Sequence, residues 1–232
     1  ISEANNGLLD AIEKFDIKQD VKLISYSKWW IIQRMQAALE RENKIQQDSL
    51  EVELNNEVLL ASEATKTDTL ALNTFKSLSK GPLGLIDCNE LVLFKNTEER
   101  TFIDTDNVET KVALFKSGIG MDDDFIKLAA DNGYKGIVIE AMGRGNIPPQ
   151  MYEGVKYARE KDIPVVIVSR CHSGRVFDSY GYLGSGRDLR NIGCIFGGEL
   201  PGQKARIKLM LALGKTNNLD EIKDYFEEGI YY

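Results

Sequence analysis

The sequence predicts an α/β protein built on a parallel sheet, and three observations carry that prediction. Two short continuous apolar runs, at 136–142 and 165–168, are typical of strands that are covered on both faces. A Gly-rich turn, 143–146, ends the first run, and a helical stretch then follows two prolines to about residue 161. Such a strand–helix–strand unit normally crosses over right-handed, and its carboxyl-end turns usually build the ligand site.

The elements around this unit continue the alternation of strands and helices from residue 111 to the end of the chain. Before the central unit we predict a strand over 111–118 and a helix from its N-cap Asp122 to about Asn132, with Gly133 as the stop. After it we predict a loop over 169–174, a short helix over 187–191 and a strand over 194–196. A helix after Pro201 and a last helix capped by Asn218 or Asp220 complete the domain. Because the connecting turns are short, the pattern predicts a compact three-layer α/β domain over 111–232.

The stretch before this domain, 51–110, has a different character. Residues 56–66 predict a strand end or a short helix before a Thr-rich loop, and 70–78 has helical spacing. Residues 83–95 predict a β-hairpin, and the charged run that follows it to residue 110 predicts a linker.

The first fifty residues predict a helical segment that contains an aromatic cluster. Apolar positions in 5–16 have helical spacing, and Tyr26, Trp29 and Trp30 precede a second, Ala/Leu-rich helix. The simplest interpretation is a two-helix hairpin with aromatic core residues. Neighbouring residues on a helix point roughly 100° apart, however, so adjacent tryptophans rarely enter one core. An exposed aromatic beside Gln33 can stack on an unpaired base, and both interpretations stay open.

Length and charge limit the function classes. With 232 residues the chain is long enough for one or two domains with a real core. Its net charge of −7 argues against broad nucleic-acid binding by the whole chain and leaves a local basic patch open. No run approaches the roughly 20 apolar residues that span a bilayer, and no signal peptide is found. Because the chain starts with Ile1, we expect a fragment rather than a processed product.

Cysteine and histidine usage indicates the compartment and limits metal binding. The three cysteines, Cys88, Cys171 and Cys194, form no CxxC pair, which favours a reducing cytoplasm and hence a cytoplasmic location. We interpret Cys171 and Cys194 as small core residues. The single histidine, His172, excludes a poly-histidine metal site, and a local hydrogen bond is its simplest role.

Two motifs carry candidate chemistry of their own. Gly143-x-Gly145 resembles a dinucleotide fingerprint only weakly, because Pro148 stands where the third glycine would be. Lys66, in the Thr-rich loop, is either a solvated loop lysine or a cation that lowers the pKa of a nearby hydroxyl system.

A pattern of residues within the first 43 positions carries a family resemblance. The residues are Asn6-Gly7-Leu8-Leu9, Ala11, Lys14-Phe15-Asp16, Lys22, Ser25-Tyr26, Trp29-Trp30-Ile31 and Gln33. In them the chain resembles the part of bacterial primary sigma factors that reads the promoter −10 element. The resemblance implies that Tyr26, Trp29 and Trp30 help to melt DNA and hold a flipped base. It also implies that Gln33 contacts the element, and that promoter DNA and RNA polymerase are partners of this fragment.

Five stretches in the rest of the chain carry a second resemblance. They are EATKTDTLALNTFKS at 63–77, GPLG at 81–84, GIVIEAMGRGNIP at 136–148, PVVIVSRCHSGRV at 164–176 and GGELPGQKARIKLMLALG at 197–214. In them the chain resembles the L-asparaginase family over about residues 53–228. The resemblance implies an asparaginase-type carboxyl-terminal α/β domain over 111–232 and a β-hairpin remnant of the amino-terminal domain, with a linker, over 51–110. The sigma-like helical fragment occupies 1–50.

The asparaginase resemblance implies hydrolysis of the side-chain amide of asparagine to aspartate and ammonia, without metal or cofactor. The family uses a threonine nucleophile with a Thr–Lys–Asp set, in sites shared between subunits, so a homo-oligomer is implied. Lys66 matches the lysine of that set. Asn146 matches the residue that reaches into the neighbouring subunit's site and contacts substrate there. The glycine-rich threonine turn of the family does not occur in these 232 residues, so we expect the chain to be inactive alone.

Three hypotheses about the whole chain follow from the two resemblances. The first is a chimeric or wrongly joined reading frame, in which a sigma fragment precedes the last part of a cytoplasmic asparaginase. The second is a promoter-DNA-binding module with a folded carboxyl-terminal appendage. The third is a genuine fusion that binds an asparaginase partner or senses an amino acid. The junction near 43–55 distinguishes them, because a genuine fusion usually joins two complete modules by a linker.

Overall fold

The computed structural model describes residues 50–52, 56–71, 73–88, 90–95 and 101–227. The chain divides into two units, Ile1–Glu51 and Val52–Tyr232. The helical segment predicted for 1–50 therefore lies outside the described residues, apart from its last position. The predicted domain boundaries at residues 50 and 110 stay predictions.

The described residues form ten strands and five helices. The strands are β1 (Leu50–Val52), β2 (Glu57–Leu60), β3 (Ala64–Lys66), β4 (Phe75–Ser77), β5 (Gly84–Asp87), β6 (Glu90–Leu93), β7 (Val112–Lys116), β8 (Gly136–Ala141), β9 (Val165–Ser169) and β10 (Ile195–Phe196). The helices are α1 (Asp124–Asp131), α2 (Pro149–Glu160), α3 (Gly186–Asn191), α4 (Gly202–Lys215) and α5 (Leu219–Glu227).

A parallel sheet forms the centre of the region from β7 to α5. Its four strands lie side by side in the order β10-β9-β8-β7, and each neighbouring pair is parallel. The register places Ile137 opposite Val165 and Ile139 opposite Ile167. The prediction of an α/β fold with a parallel sheet is confirmed, and the two apolar runs that carried it are β8 and β9.

Helices cover both faces of this sheet, because alternate side chains of each strand point to opposite sides. Ile137 and Ile167 belong to one buried cluster, which includes Met151 of α2. Val138 and the residues beside it on β9 belong to a second buried cluster on the opposite face. This cluster also contains Leu209 of α4 and residues of α5. The result is three layers, as the continuous rather than alternating apolar pattern of the strands predicted.

The helix ends agree with the sequence in two places and differ in one. Gly133 has φ +76, the conformation expected of a helix stop. Asn218 caps α5, because its Oδ1 accepts the N–H groups of Asp220 and Glu221 at 2.9 and 3.3 Å. The predicted N-cap Asp122 is wrong by one residue: Asp123 takes the cap position. The Asp122 Oδ1 still accepts the N–H of Asp124, the first residue of α1, at 3.3 Å.

The helical structure predicted for 70–78 is wrong. Residues 75–77 form β4, which pairs antiparallel with β3. Thr74 explains the difference, since its Oγ1 accepts the Asp68 N–H at 2.8 Å and donates to the Asp68 backbone oxygen. Side-chain bonds of this kind offer the backbone an alternative to the helix, and here they close a hairpin loop.

The predicted β-hairpin over 83–95 is confirmed. Strand β5 pairs antiparallel with β6, with Gly84 opposite Leu93 and Asp87 opposite Glu90, and β2 pairs antiparallel with β5. The alternative left open for 56–66 is resolved in favour of strands, because β2 and β3 both lie there. Residues 101–110 contain neither helix nor strand, and the Glu109 N–H donates to the Met210 oxygen of α4 at 3.0 Å, so the predicted linker stays a prediction. Among the described helices, none is both long and apolar enough to cross a bilayer.

Candidate active site

The turn after β8 is closed by three backbone hydrogen bonds, one of them from the Gly145 N–H to the Met142 oxygen at 3.1 Å. The Met142 N–H donates to the Asn146 oxygen at 2.8 Å, and the Asn146 N–H donates to the Met142 oxygen at 3.0 Å. Gly143 and Gly145 have φ of +51° and +110°, values that glycine adopts without strain. The turn therefore favours glycine at these two positions, and it places Asn146 at the carboxyl edge of the sheet.

Asn146 is held by its carboxamide oxygen. The residue is 8% exposed, and its Oδ1 accepts the Gly186 N–H at the start of α3, at 3.3 Å. The next residue is fixed as well, since the Ile147 N–H donates to the Gly184 oxygen at 2.8 Å. The Asn146 Nδ2 makes no hydrogen bond within the described part of the chain. The arrangement orients the Asn146 carboxamide through its oxygen and leaves Nδ2 as an unused donor among the described residues.

The loop after β9 braces the same turn. The Ser169 Oγ donates to the Gly143 oxygen at 2.5 Å and accepts the Cys171 N–H at 3.1 Å. The Phe177 N–H donates to the Arg144 oxygen at 2.8 Å. Ser169 is 9% exposed, so this hydroxyl is a fixed structural link between the two loops.

A cavity of about 390 Å³ opens between these two loops. Its lining consists of Gly143, Arg144, Ser169, Cys171, Ser173, Gly174 and Arg175. The guanidinium carbons of Arg144 and Arg175 lie 4.9 and 5.3 Å from the centroid of the Phe177 ring.

Cys171 is exposed, so the prediction that it is a core residue is wrong. It lies past the end of β9, where the chain has already left the sheet.

Cys194 behaves as predicted. It is buried directly before β10, and burial raises the pKa of its thiol to about 12. A thiol with this pKa stays protonated at neutral pH and is not a nucleophile. The described residues contain no group of three or more His, Cys, Asp or Glu side chains that could hold a metal ion.

Lys66 ends strand β3 and is exposed. Its hairpin partner is Phe75, and the next residue, Thr67, donates from both its N–H and its Oγ1 to the Thr74 oxygen, each at 2.7 Å. Asp68 follows, and the N–H groups of Leu70 and Ala71 donate to its Oδ1, which holds the pKa of that carboxyl below its usual value of 3.8. Lys66 is therefore presented by a well-ordered loop.

The structure does not join the two predicted asparaginase residues directly. Lys66 lies on the β3–β4 hairpin and Asn146 lies on the turn after β8, and no hydrogen bond or ion pair links them in the described part of the chain. Tyr26, Trp29, Trp30 and Gln33 lie outside the described residues, so their predicted roles stay predictions.

Gly186 and Ser169 are two site residues that the sequence did not reveal. Gly186 contacts Asn146 through a backbone N–H from 40 positions away, and no sequence pattern signals such a contact. Ser169 had a usable signal, because it is the polar residue that directly ends an apolar strand in a parallel sheet.

Comparison with known proteins agrees with this geometry. Residues 111–226 match the family described as glutaminase/asparaginase C-terminal domain. The chain belongs to the asparaginase family. The matched residues contain the whole parallel sheet, the turn that presents Asn146 and the loop after β9.

Similar curated proteins include amidotransferase subunits and an asparaginase. The D-type subunit of the glutamyl-tRNA(Gln) amidotransferase of Methanobrevibacter smithii is 32% identical over 174 residues, which is 73% of this chain and 39% of the relative. L-asparaginase of Bacillus licheniformis is 30% identical over 175 residues, which is 75% of this chain and 54% of the relative. The corresponding amidotransferase subunit of Pyrococcus abyssi is 33% identical over 168 residues, covering 70% of this chain and 38% of the relative. The chain thus spans about half or less of the length of these relatives.

Proposed function

We propose that this chain supplies the carboxyl-terminal part of an amidohydrolase that converts L-asparagine to L-aspartate and ammonia. The observation that carries the proposal is the held carboxamide of Asn146, on a turn within the region that matches the asparaginase family. Its Nδ2 donors suit a substrate carbonyl or carboxylate oxygen. We further propose that the enzyme is a cytoplasmic homo-oligomer, in which Asn146 serves the site of a neighbouring protomer.

In this reaction Lys66 is proposed to assist a hydroxyl nucleophile. The hydroxyl oxygen attacks the carboxamide carbon, the C–N bond breaks with release of ammonia, and water then hydrolyses the resulting ester. A nearby ammonium group favours the ionised hydroxyl, which is the attacking form. The threonine turn that would carry this hydroxyl does not occur in these 232 residues, so the nucleophile is proposed to come from outside them.

The names of the relatives leave two amide chemistries, that of an asparaginase and that of a tRNA-dependent amidotransferase. We favour free L-asparagine as substrate. With the missing part supplied in trans, as described below, ammonia release from L-asparagine and L-glutamine is compared with and without glutamyl-tRNA(Gln), which separates these activities. A rate that depends on the tRNA would favour the amidotransferase.

The first experiment measures ammonia release by the purified 232-residue chain. We expect no turnover of asparagine, because positioning of nucleophile and substrate contributes on the order of 7–11 kcal/mol to such reactions and the positioned hydroxyl is missing. Turnover that survives purification and disappears in Lys66→Ala would overturn this expectation.

The second experiment supplies the missing part in trans, as the amino-terminal half of the Bacillus licheniformis relative. We expect ammonia release with the wild-type chain and a loss on the order of 10²-fold or more in Lys66→Ala and in Asn146→Ala. Lys76→Ala is the matched control, because Lys76 is exposed on the facing strand of the same hairpin. Equal losses in the Lys66 and Lys76 variants would contradict the proposed role of Lys66.

A second candidate function concerns the sigma-like fragment. The adjacent Trp29 and Trp30, near Tyr26 and Gln33, favour stacking on unpaired bases of a −10-like single strand. Each stacked base contributes roughly 1–3 kcal/mol, so the double variant Trp29→Ala, Trp30→Ala should abolish binding to such oligonucleotides. Unchanged binding would refute the stacking role.

Long-read sequencing of the source DNA across residues 43–55 tests the proposal that the two segments were wrongly joined.

A further inference from the structure

Lys204 connects two parts of the chain that are 140 residues apart in sequence. It lies in the first turn of α4, and its Nζ donates hydrogen bonds to the backbone oxygens of Ala61 and Ala64. These two carbonyls flank the turn between β2 and β3. Ala64 is the first residue of the strand that ends in Lys66. A single side chain of the parallel-sheet domain thus contacts the base of the hairpin that carries the candidate catalytic lysine.

A second connection runs beside it through side-chain charges. The Ser77 Oγ of β4 donates to the Glu63 carboxylate at 2.8 Å, and the Lys80 Nζ lies 3.6 Å from the same carboxylate. Lys80 then reaches Glu199, just before α4, at 3.1 Å. Both connections therefore end within 199–204, which covers the end of the loop after β10 and the first turn of α4.

The two connections differ in exposure, and this ranks them. The Lys80 and Glu199 side chains are each 47% exposed, and ion pairs at such positions contribute little. Lys204 is half-buried and donates to two backbone carbonyls, and hydrogen bonds that involve a charged group are about twice as strong as neutral ones. Lys204 is therefore the stronger of the two connections.

We propose that Lys204 is a positioning residue, whose ammonium group fixes the β3–β4 hairpin, and with it Lys66, on helix α4. The hairpin loop is ordered internally by Thr74 and Asp68, but those bonds do not fix its place on the parallel-sheet domain. Lys204 does so at the strand that leads directly into Lys66. The assignment rests on the proposed function only in that it takes Lys66 as an active-site residue.

The test is amide hydrogen exchange and NMR on the full 232-residue chain. In Lys204→Met, which keeps the apolar stem and removes the donors, we expect exchange of the β3–β4 amides to be faster by about ten-fold or more. Amides of β7 to β9 should change by less than about two-fold. The Lys66 side-chain signals should shift toward those of a flexible lysine. Lys204→Arg should restore both readouts, because a guanidinium can donate to the same two carbonyls.

Two variants serve as controls. Lys215→Met removes an exposed lysine at the other end of the same helix, and Lys80→Met removes the ion pairs with Glu63 and Glu199. Both should leave exchange within a few-fold of wild type. If Lys204→Met does not fold, Lys204→Gln, which retains neutral donors, should show an intermediate effect.

Three results would overturn the proposal. The first is unchanged exchange in Lys204→Met, and the second is an equal effect in Lys80→Met. The third is faster hairpin exchange with unchanged Lys66 side-chain signals, which would make Lys204 a purely structural contact. None of these readouts uses ammonia release, so failure of the amidohydrolase proposal would leave the result unaffected.

Discussion

Strands β9 and β6 differ in burial although both are apolar. All five residues of β9 are buried, whereas all four residues of β6 are exposed. The β9 sequence is Val-Val-Ile-Val-Ser and the β6 sequence is Glu-Leu-Val-Leu, so each strand contains at least three consecutive apolar residues. The difference lies in what covers each strand. β9 is sandwiched between two buried clusters that include helices on either face, and β6 pairs with β5 while its apolar side chains remain about half exposed.

This comparison shows which part of the described chain buries its apolar side chains. The buried residues of the two clusters around the parallel sheet all lie within 112–226, and Ile103 packs against one of them from outside. The antiparallel hairpins before it leave Leu91, Leu93 and Phe94 at 52–55% exposure. Large side chains exposed in a row mark a surface where another polypeptide packs or where aggregation begins. Three substitutions test the contrast.

The largest effect is expected in the buried strand. Ile167 is 0% exposed at the centre of β9, and Ile167→Ala removes its packing against the cluster that contains Ile139. We expect a loss of about 3 kcal/mol in the free energy of unfolding, within the usual range for buried isoleucine. Urea denaturation of the full chain measures it, and the m-value should stay constant. A loss below about 1 kcal/mol would mean that the sheet is not the core of the stable unit.

The second effect sharpens the comparison within the covering layer. Lys208 of α4 lies with its Nζ 5.2 Å from the centroid of the Phe226 ring, and burial lowers its pKa from 10.5 to about 8. We expect Lys208→Met to stabilise the chain at pH 7 by about 1–2 kcal/mol. At about 1.36 kcal/mol per pKa unit, the full pKa difference would imply a larger gain in the free energy of unfolding. We expect the smaller gain because part of the amine stays hydrated.

The pH dependence of this gain has a definite sign. Below pH 8 the amine is protonated in both states, and the folded state bears the whole cost of burying the charge. Between pH 8 and 10.5 the unfolded state binds more protons than the folded state, so the stability of the wild-type chain rises with pH. The advantage of Lys208→Met should therefore shrink over this window and vanish above it. An advantage independent of pH would show that the substitution acts through packing alone.

The same contrast explains what could be predicted from the sequence. β8 and β9 were predictable because continuous apolar runs and a glycine turn are local signals. The hairpin over 83–95 was equally local. Residues 70–78 were mispredicted because Thr74 and Asp68 bond each other across six positions and override helical spacing. Asn146 was identified through the family resemblance alone. Its hydrogen bond with Gly186 and the contact of Lys204 with Ala64 could not be predicted, because both contacts form only when segments distant in sequence meet.

The smallest effect is expected in the exposed strand. Leu93→Ala removes a side chain that is 53% exposed. The residue opposite it on β5 is a glycine, Gly84. About half of the leucine surface is already in water, so we expect a loss of about 1 kcal/mol or less. Measured at low protein concentration, this loss should be well below that of Ile167→Ala. A loss near ~3 kcal/mol that grows with protein concentration would show that β6 is covered in solution by a second chain. In that case the hairpin region would be an interface, and its exposure in the single chain would be the reason for the association.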